Sequence, residues 1–359
     1  MGLINALRKL YFMKHTDKQP ITPPPYSASH GEAVAEFAGP EACREFVIER
    51  YSAGKKALWD EFIRNSRNAS FLFMRDYMDY HSDRFTDNSL LIYKGRKLSA
   101  LLAANLTPDG ILHSHQGLTY GGLLLPMKHI DAADVLDMFS SIMQYCKSED
   151  IRGIDYKPLP FIYSALPSQE DLYALFRCGA TLTETNLSST IEIGKSTGLN
   201  TLQRRHLRKA SRIPCEINEV TDIDEFWQLL NRCLNDRHNV SPVHSAAELR
   251  LLCSRFPENI KIHGLWHGGE LQAGVCMFLS GRVAHCQYIA TSPTAREQNL
   301  LTVLFDALIR HYGKTHDYFD FGISNENSGK YLNRGLLRQK FSYGATGVAY
   351  QRYYLPLPH

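Results

Sequence analysis

The chain has 359 residues, of which 44% are hydrophobic and 21% charged, and its formal net charge is +3. That length exceeds the usual single core and points to two domains of roughly 150 residues each. The near-balanced charge lacks the basic excess of a dedicated nucleic-acid binder, so DNA is excluded as a partner and any polyanion contact must be local.

The N-terminal stretch to Lys14 has only short apolar runs broken by Arg8, Lys9 and Lys14, unlike the continuous apolar core of a secretory signal. Residues 3–13 fit an amphipathic helix able to touch a membrane surface, which sets peripheral contact as the most a membrane would offer. No later run reaches the roughly 18 apolar residues of a membrane span. The eight cysteines (Cys43, Cys146, Cys178, Cys215, Cys233, Cys253, Cys276 and Cys286) show neither a C-x-x-C pair nor zinc-ligand spacing, and read as free thiols of a cytoplasmic protein, at most at the inner face of the membrane. Residues 17–32, with Pro20, Pro23, Pro24 and Pro25, have the composition of an extended linker, and folding is expected from about residue 42.

The elements then follow in order. Helical periods cover 57–65 and 75–81; strand-like runs at 89–93 and 98–106 flank the turn Lys94-Gly95-Arg96, and a further run starts after Pro108-Asp109-Gly110. A helix at 131–147 puts Val135, Met138, Phe139, Ile142 and Met143 on one face. A strand at 153–156, a helix at 169–176 stopped by Gly179, and a strand at 181–193 complete a first unit. The order recurs: helices at 224–235 and 245–253, strands at 260–266, 271–279 and 282–290, a long helix at 295–313, a strand at 318–321, a helical turn at 330–337 and a strand at 349–355. Between the copies, 201–213 is a basic helix candidate.

Two helices, an antiparallel meander, then helix, strand, helix and strand is the order of one GNAT unit, and it is seen twice. The segment Phe319-Asp320-Phe321-Gly322-Ile323-Ser324-Asn325-Glu326, the element Asn333-Arg334-Gly335-Leu336 and the close Gln339-Lys340-Phe341-Ser342-Tyr343-Gly344 resemble the C-terminal signature of the FemABX-like acyltransferases. Gln339 stands where that family usually has Phe. The run Arg204-Arg205-His206-Leu207-Arg208-Lys209-Ala210 resembles its inter-domain segment. The resemblance spans most of 42–355 and implies an α/β fold of two tandem GNAT-like domains, each a mixed, mostly antiparallel sheet flanked by helices. It divides the chain into a tail and linker (1–41), an acceptor-side domain (42–196), a basic inter-domain segment (197–221) and a donor-side domain (222–359).

The resemblance also implies roles. Lys340 would face the transfer centre and stabilise the oxyanion formed when an amine attacks an ester or thioester. Glu326 would deprotonate the acceptor ammonium, although Asn325 and Glu326 equally suit a helix cap. Ser324, Asn325 and Asn333 would contact substrate. The polar, glycine-rich stretch from His113 to Gly122 supplies acceptor-binding candidates His115, Gln116 and Tyr120, with His81 and Arg84 on the preceding helix. A metal site built from His113, His115 and His129 lacks a cysteine or carboxylate at ligand spacing, so no metal is expected. Arg204, Arg205, Arg208 and Lys209 would bind phosphate groups, although the run equally suits a solvated linker helix. The turn Ser292-Pro293-Thr294-Ala295-Arg296 has none of the glycines of a GNAT pyrophosphate loop, leaving Arg296 and a helix N-terminus to hold an anion. Gly194-Lys195-Ser196-Thr197-Gly198 formally matches a nucleophile elbow but is not followed directly by a helix, which suits a linker.

The reading is transfer of an acyl group from acyl-CoA, or of an aminoacyl group from aminoacyl-tRNA, to an amine of a cell-envelope (peptidoglycan or polysaccharide) precursor. The acceptor would be a small-molecule or lipid-linked sugar or peptide, and tRNA is a candidate partner. The alternative is a non-catalytic GNAT-like ligand-binding module.

Overall fold

The structure, a computed structural model, describes residues 46–238, 242 and 244–357. The predicted helix at 3–13, the proline-rich stretch, the tail up to residue 41, the onset of folding near residue 42 and Cys43 lie outside these residues. The described residues open with β1 (Phe46–Arg50), which the sequence reading missed, then α1 (Lys56–Arg64), α2 (Arg75–Met78), β2 (Leu90–Lys94), β3 (Lys97–Leu102), β4 (Asn105–Leu106), β5 (Ile111–His113) and β6 (Leu123–Leu124). Next come α3 (Ala132–Ser148), β7 (Gly153–Tyr156), α4 (Glu170–Arg177) and β8 (Thr181–Glu192). The second half holds α5 (Thr201–Ala210), β9 (Glu216–Glu219), α6 (Ile223–His238), α7 (Ala246–Arg255), β10 (Ile260–His267), β11 (Glu270–Ser280) and β12 (Val283–Thr291). It ends with α8 (Pro293–Glu297), α9 (Leu300–Tyr312), β13 (Tyr318–Ile323), β14 (Asn325–Glu326), β15 (Tyr331–Leu332), α10 (Arg334–Phe341) and β16 (Thr346–Pro356). The helix expected at 295–313 is two helices, because Asn299 takes the left-handed conformation (φ 59°) between α8 and α9. β9 lies in the predicted inter-domain segment and pairs with β10, so the second half's sheet already begins there.

Local signals explain most boundaries. Asp131 and Asp134 form a capping box at the start of α3, and Ser245 and Glu248 do the same for α7. The strands β11 and β12 are buried along nearly their whole length, as expected for a sheet covered on both faces.

The chain is a mixed α/β protein. Ten strands form one sheet in the order β4-β5-β7-β16-β8-β13-β12-β11-β10-β9, and β1, β2, β3 and β6 form a second. The long sheet has an internal two-fold logic. β5 and β7 pair in parallel across the crossover helix α3, and β12 and β13 pair in parallel across α9. The strand that follows β7 in sequence, β8, pairs with β13, while the next strand of this sheet after β13, β16, pairs with β7. β8 and β16 pair antiparallel with each other at the centre. Each half thus lends its last strand to the other, and the sheet crosses the expected 196/197 division without a break. Apolar contacts reinforce the union: Phe71 packs its ring 5.4 Å from Phe256 and 5.5 Å from Phe278, all three in one buried cluster. Burying a side chain of that size contributes about 2–3 kcal/mol.

Among the described residues no helix is long and apolar enough to cross a membrane, and no group of His, Cys, Asp or Glu is arranged to hold a metal ion. The seven described cysteines are free thiols.

Candidate active site

The two parallel strand pairs end on the same residue types. In the first half the last pair in register is His113 with Asp155; in the second it is His285 with Asp320. A parallel pair that stops leaves its carboxyl-end strands open, the usual place for a ligand in an α/β sheet. The two ends differ in what surrounds them.

In the second half, β12 continues to Thr291 while β13 shifts register after Asp320. Asp320 is fully buried. Its Oδ1 accepts from Ser188 Oγ at 2.5 Å, Thr190 Oγ1 at 2.8 Å and the Gly322 amide at 3.3 Å. Its Oδ2 accepts from His285 Nδ1 at 2.7 Å and the Tyr350 hydroxyl at 3.1 Å. Burial would raise its pKa, but the bonds and charge of His285 and the Ser188 and Thr190 bonds outweigh that and hold it down at about 2. The bond to Asp320 places a proton on His285 Nδ1, so that in the neutral imidazole the lone pair lies on Nε2. Gly322 (φ 77°) keeps the space beside this ring clear: a Cβ there would lie 3.3 Å from His285 Cε1. The Tyr350 hydroxyl lies 3.2 Å from that of Tyr163, whose ring packs 4.5 Å from Tyr120, so first-half aromatics reach the carboxylate from behind. Burial, and then the neighbouring tyrosines and Asp320, push the phenol pKa values of Tyr163 and Tyr350 well up, so both stay protonated donors.

The equivalent place in the first half is closed. Asp155 is gripped by both Nε (2.5 Å) and a terminal nitrogen of Arg352, and His113 Nδ1 stands 3.4 Å away. Beyond it, Ser114 Oγ accepts the Lys157 amide at 2.7 Å, and the Gly121 amide donates to the Lys157 carbonyl at 2.8 Å. The segment after β5 therefore fills the gap its own strands leave. Gly121 permits this, since a Cβ there would sit 2.1 Å from the Ser114 carbonyl oxygen.

Lys340 is enclosed rather than presented to solvent: its ammonium donates to the Gly322 carbonyl at 2.6 Å and the Ile323 carbonyl at 2.7 Å. Burial, opposed by the charge of Asp320, draws its pKa down to about 7. These two bonds tie Lys340, the residue expected at the oxyanion, to the turn that follows Asp320. Glu326 accepts from Asn333 Nδ2 at 2.9 Å, and Asn333 Oδ1 caps α10 through the Leu336 amide at 3.0 Å, so these two form a cap. Asn325 Oδ1 accepts the Leu187 amide at 2.5 Å, and Ser324 is fully buried with its hydroxyl unbonded. Arg296 donates to the Thr291 carbonyl at 3.1 Å, bracing the turn at the end of β12; α9 just beyond it begins without a side-chain cap, its Thr302 amide donating to the Asn299 carbonyl at 3.0 Å. Ser196 donates to the Gly344 carbonyl at 2.9 Å, a linker contact.

In the first half the structure brings His81 and His115 together, rings stacked at 5.1 Å, in the wall of a cavity of about 410 Å³ that Arg50, Tyr51, Arg75, Asp79 and Asp87 also line. Burial lowers the His81 pKa to about 4 and holds that of His115 well below the usual imidazole value, so both are neutral. Tyr80 stacks on His81 and lies 5.8 Å from His244, whose Nδ1 meets the Tyr288 hydroxyl of β12 at 2.5 Å. The other acceptor candidates lie elsewhere. Arg84 pairs with Glu248 of the second half at 2.6 Å, Gln116 is locked to Asn105, and Tyr120 donates to Ser70 and faces the Tyr163 side. His129 is apart from His113 and His115, at a second cavity with Lys94, Lys97 and Lys128. On α5, Arg204, Arg205, Arg208 and Lys209 are all exposed. The sequence reading missed His285, Tyr350, Tyr163, Ser188 and Thr190. The available signal was a run of polar types, His-Cys-Gln-Tyr, inside a strand with no exposed face.

Residues 201–331 match the family model of the acetyltransferase (GNAT) domain. No curated protein matches the chain by sequence. Among solved structures, the crystal structure of FemX aligns with a TM-score of 0.64 at 10% identity, over 86% of this chain and 97% of that one. The structure of L-PGS from Bacillus licheniformis aligns at 0.54 and 12% identity, over 85% and 92%. The C-terminal domain of a putative lysylphosphatidylglycerol synthetase from Agrobacterium fabrum aligns at 0.50 and 12% identity, over 73% and 82%. With two parallel strand units joined through exchanged strands and a GNAT match in the second of them, the chain has a tandem GNAT-like fold of the FemX kind.

Proposed function

We propose that the chain transfers an acyl or aminoacyl group to an amine of a cell-envelope precursor, with the second half catalysing the transfer and the first half holding the acceptor. The observation that carries the reading is the buried His285–Asp320 pair at the point where β12 and β13 part. His285 Nε2 takes the proton of the acceptor ammonium; the freed amine attacks the donor carbonyl, forming the C–N bond of an amide. The C–S or C–O bond to the leaving group breaks, and the thiol or hydroxyl departs with a proton. Asp320 keeps the imidazole in the required tautomer.

The GNAT match favours an acyl-CoA donor. Residues of this chain fit its diphosphate moderately: the uncapped start of α9 offers amides and Arg296 stands at the same turn, with Asn299 taking the left-handed position a glycine would otherwise occupy. Aminoacyl-tRNA is the second donor, suited by the exposed cations of α5. The FemX and L-PGS likenesses support an envelope acceptor. The cavity beside His81 and His115 is the acceptor pocket in this reading, connected to β12 through Tyr80, His244 and Tyr288. Lys340 acts as a positioning residue.

The test is turnover by the full chain with acetyl-CoA or aminoacyl-tRNA against amino-sugar and peptide acceptors, together with the thermal stabilisation each donor confers. Transfer with either donor supports the reading. Stabilisation by an acceptor with no transfer from either donor would replace it with the binding-module alternative.

A further inference from the structure

We propose that the adjoining outer faces of α5 and α10 form a docking surface for an anionic lipid bilayer. The two helices meet where the Ser342 carbonyl accepts the Asn200 amide at 2.9 Å and Ser342 Oγ accepts Gln203 Nε2 at 2.9 Å, which places the start of α5 against the end of α10. Gln203 and Ala210 turn inward on α5, and Leu336 and Lys340 turn inward on α10. The opposite sides are strongly basic. Arg204, Arg205, Arg208 and Lys209 are exposed on α5, and Arg334 and Arg338, one turn apart, are exposed on α10. None of these six cations forms an ion pair with a described residue, whereas the exposed Arg250 and Arg310 of the second half do. Fixed charge of one sign on two touching helices calls for an external anion.

Two large apolar side chains stand in this basic field. Leu202 is 52% exposed and Phe341 44% exposed, and each is adjacent in sequence to one member of the Gln203–Ser342 hydrogen bond. Cations around apolar side chains that lie at the rim of one face are what an interfacial surface presents to headgroups and the acyl boundary. A nucleic-acid backbone would use the cations but offers nothing to these two side chains, which is why lipid is the occupant. The surface is also coupled to the candidate active site, since α10 is a single helix with Phe341 on its outer side and Lys340 on its inner side, bonded to the turn that follows Asp320. Docking there would hold the turn that follows Asp320 within about one helix diameter, roughly 10 Å, of the bilayer surface.

The experiment measures co-sedimentation of the full chain with phosphatidylcholine vesicles, with or without phosphatidylglycerol. It compares the wild type, the combined Arg204→Ala, Arg205→Ala and Arg208→Ala variant, and the combined Leu202→Ser and Phe341→Ser variant. The sites are exposed, so thermal unfolding serves as the check that each variant is folded. The expected result is binding only to phosphatidylglycerol vesicles, weakened by added salt. The charge variant should lose about 10²-fold in partition, from roughly fivefold for each cation, and the apolar variant should lose a smaller but measurable factor. Equal binding to both vesicle types, or unchanged partition of the charge variant, would overturn the proposal. Binding of tRNA by the wild type without binding of either vesicle would overturn it in favour of an RNA surface. The readout needs no turnover, so its failure leaves the assignment of His285 untouched, and failure of that assignment leaves this one standing.

Discussion

Replacing Asp320 with Asn keeps the shape of the side chain and removes the property on which the site depends. Five donors converge on the two carboxylate oxygens: Ser188, Thr190 and the Gly322 amide on Oδ1, and His285 and Tyr350 on Oδ2. An amide offers one oxygen, so whichever end becomes NH₂ faces donors. If that end meets His285, the imidazole must present a lone pair to it and carry its proton on Nε2, which disables the base. Loss of a positioned general base lowers turnover by about 10²–10⁴-fold. The structural cost is that of disrupting hydrogen bonds to a buried charge, about 3 kcal/mol, which lowers the melting temperature by roughly 6–12 °C. The pH dependence gives an independent signature. Because the folded pKa of Asp320 is held at about 2, below its usual 3.8, its contribution to stability is fully present above pH 3.8 and is lost as pH falls through 2. Asp320→Asn should flatten that part of the acid limb. The assay is single-turnover release of thiol from acyl-CoA by folded variant, with calorimetry across pH. A folded Asp320→Asn protein with unchanged turnover would refute the reasoning.

Lys340 has a folded pKa drawn down to about 7 from 10.5, so its contribution to stability is complete above 10.5 and diminishes as pH falls through 7; the wild type should gain stability relative to Lys340→Met between pH 7 and 10, and denaturant melts at the two pH values test this. The same variant frees the Gly322–Ile323 turn, so turnover should fall by about 10²-fold with little change in donor affinity, checked by a kcat and KM split. His81, held down at about 4, stays neutral only while folded, so stability should be lost as pH falls from 6.5 to 4, and His81→Phe should remove part of that loss in calorimetric scans. Gly121→Ala places a methyl 2.1 Å from the Ser114 carbonyl and should destabilise the first half by about 3 kcal/mol or more, measured by chemical denaturation.

Much of the fold was legible because its signals are local. β10 and β11 read clearly as strands around the turn at 268–269, and α3 read clearly from Val135, Met138, Phe139 and Ile142, which are indeed buried. β1 and β9 were not legible: both are short, and their partners, β2 and β10, pair with residues more than about 40 positions away, such as Phe46 with Lys94 and Trp266 with Glu216. The exchange of β8 and β16 depends on pairing between residues some 160 apart, such as Ser188 with Val348, which no local period reveals. The candidate site shows the same division. His115 attracted notice in a polar, glycine-rich stretch, whereas His285 lies between Ala284 and Cys286 in a strand buried on both faces, where alternation carries no information. Lys340 stood in a recognisable motif, but its side-chain direction was set by packing, which turned it inward to the Gly322 and Ile323 carbonyls.

The measurement that bears most directly on the account compares His285→Ala with His113→Ala in one transfer assay. The two histidines occupy equivalent positions at the ends of the two parallel strand pairs, one bonded to the buried Asp320 and one beside a gap the chain itself fills. The account predicts loss of transfer by about 10²-fold or more in folded His285→Ala and turnover close to wild type in His113→Ala. Abolished transfer in folded His113→Ala, with His285→Ala still active, would contradict it.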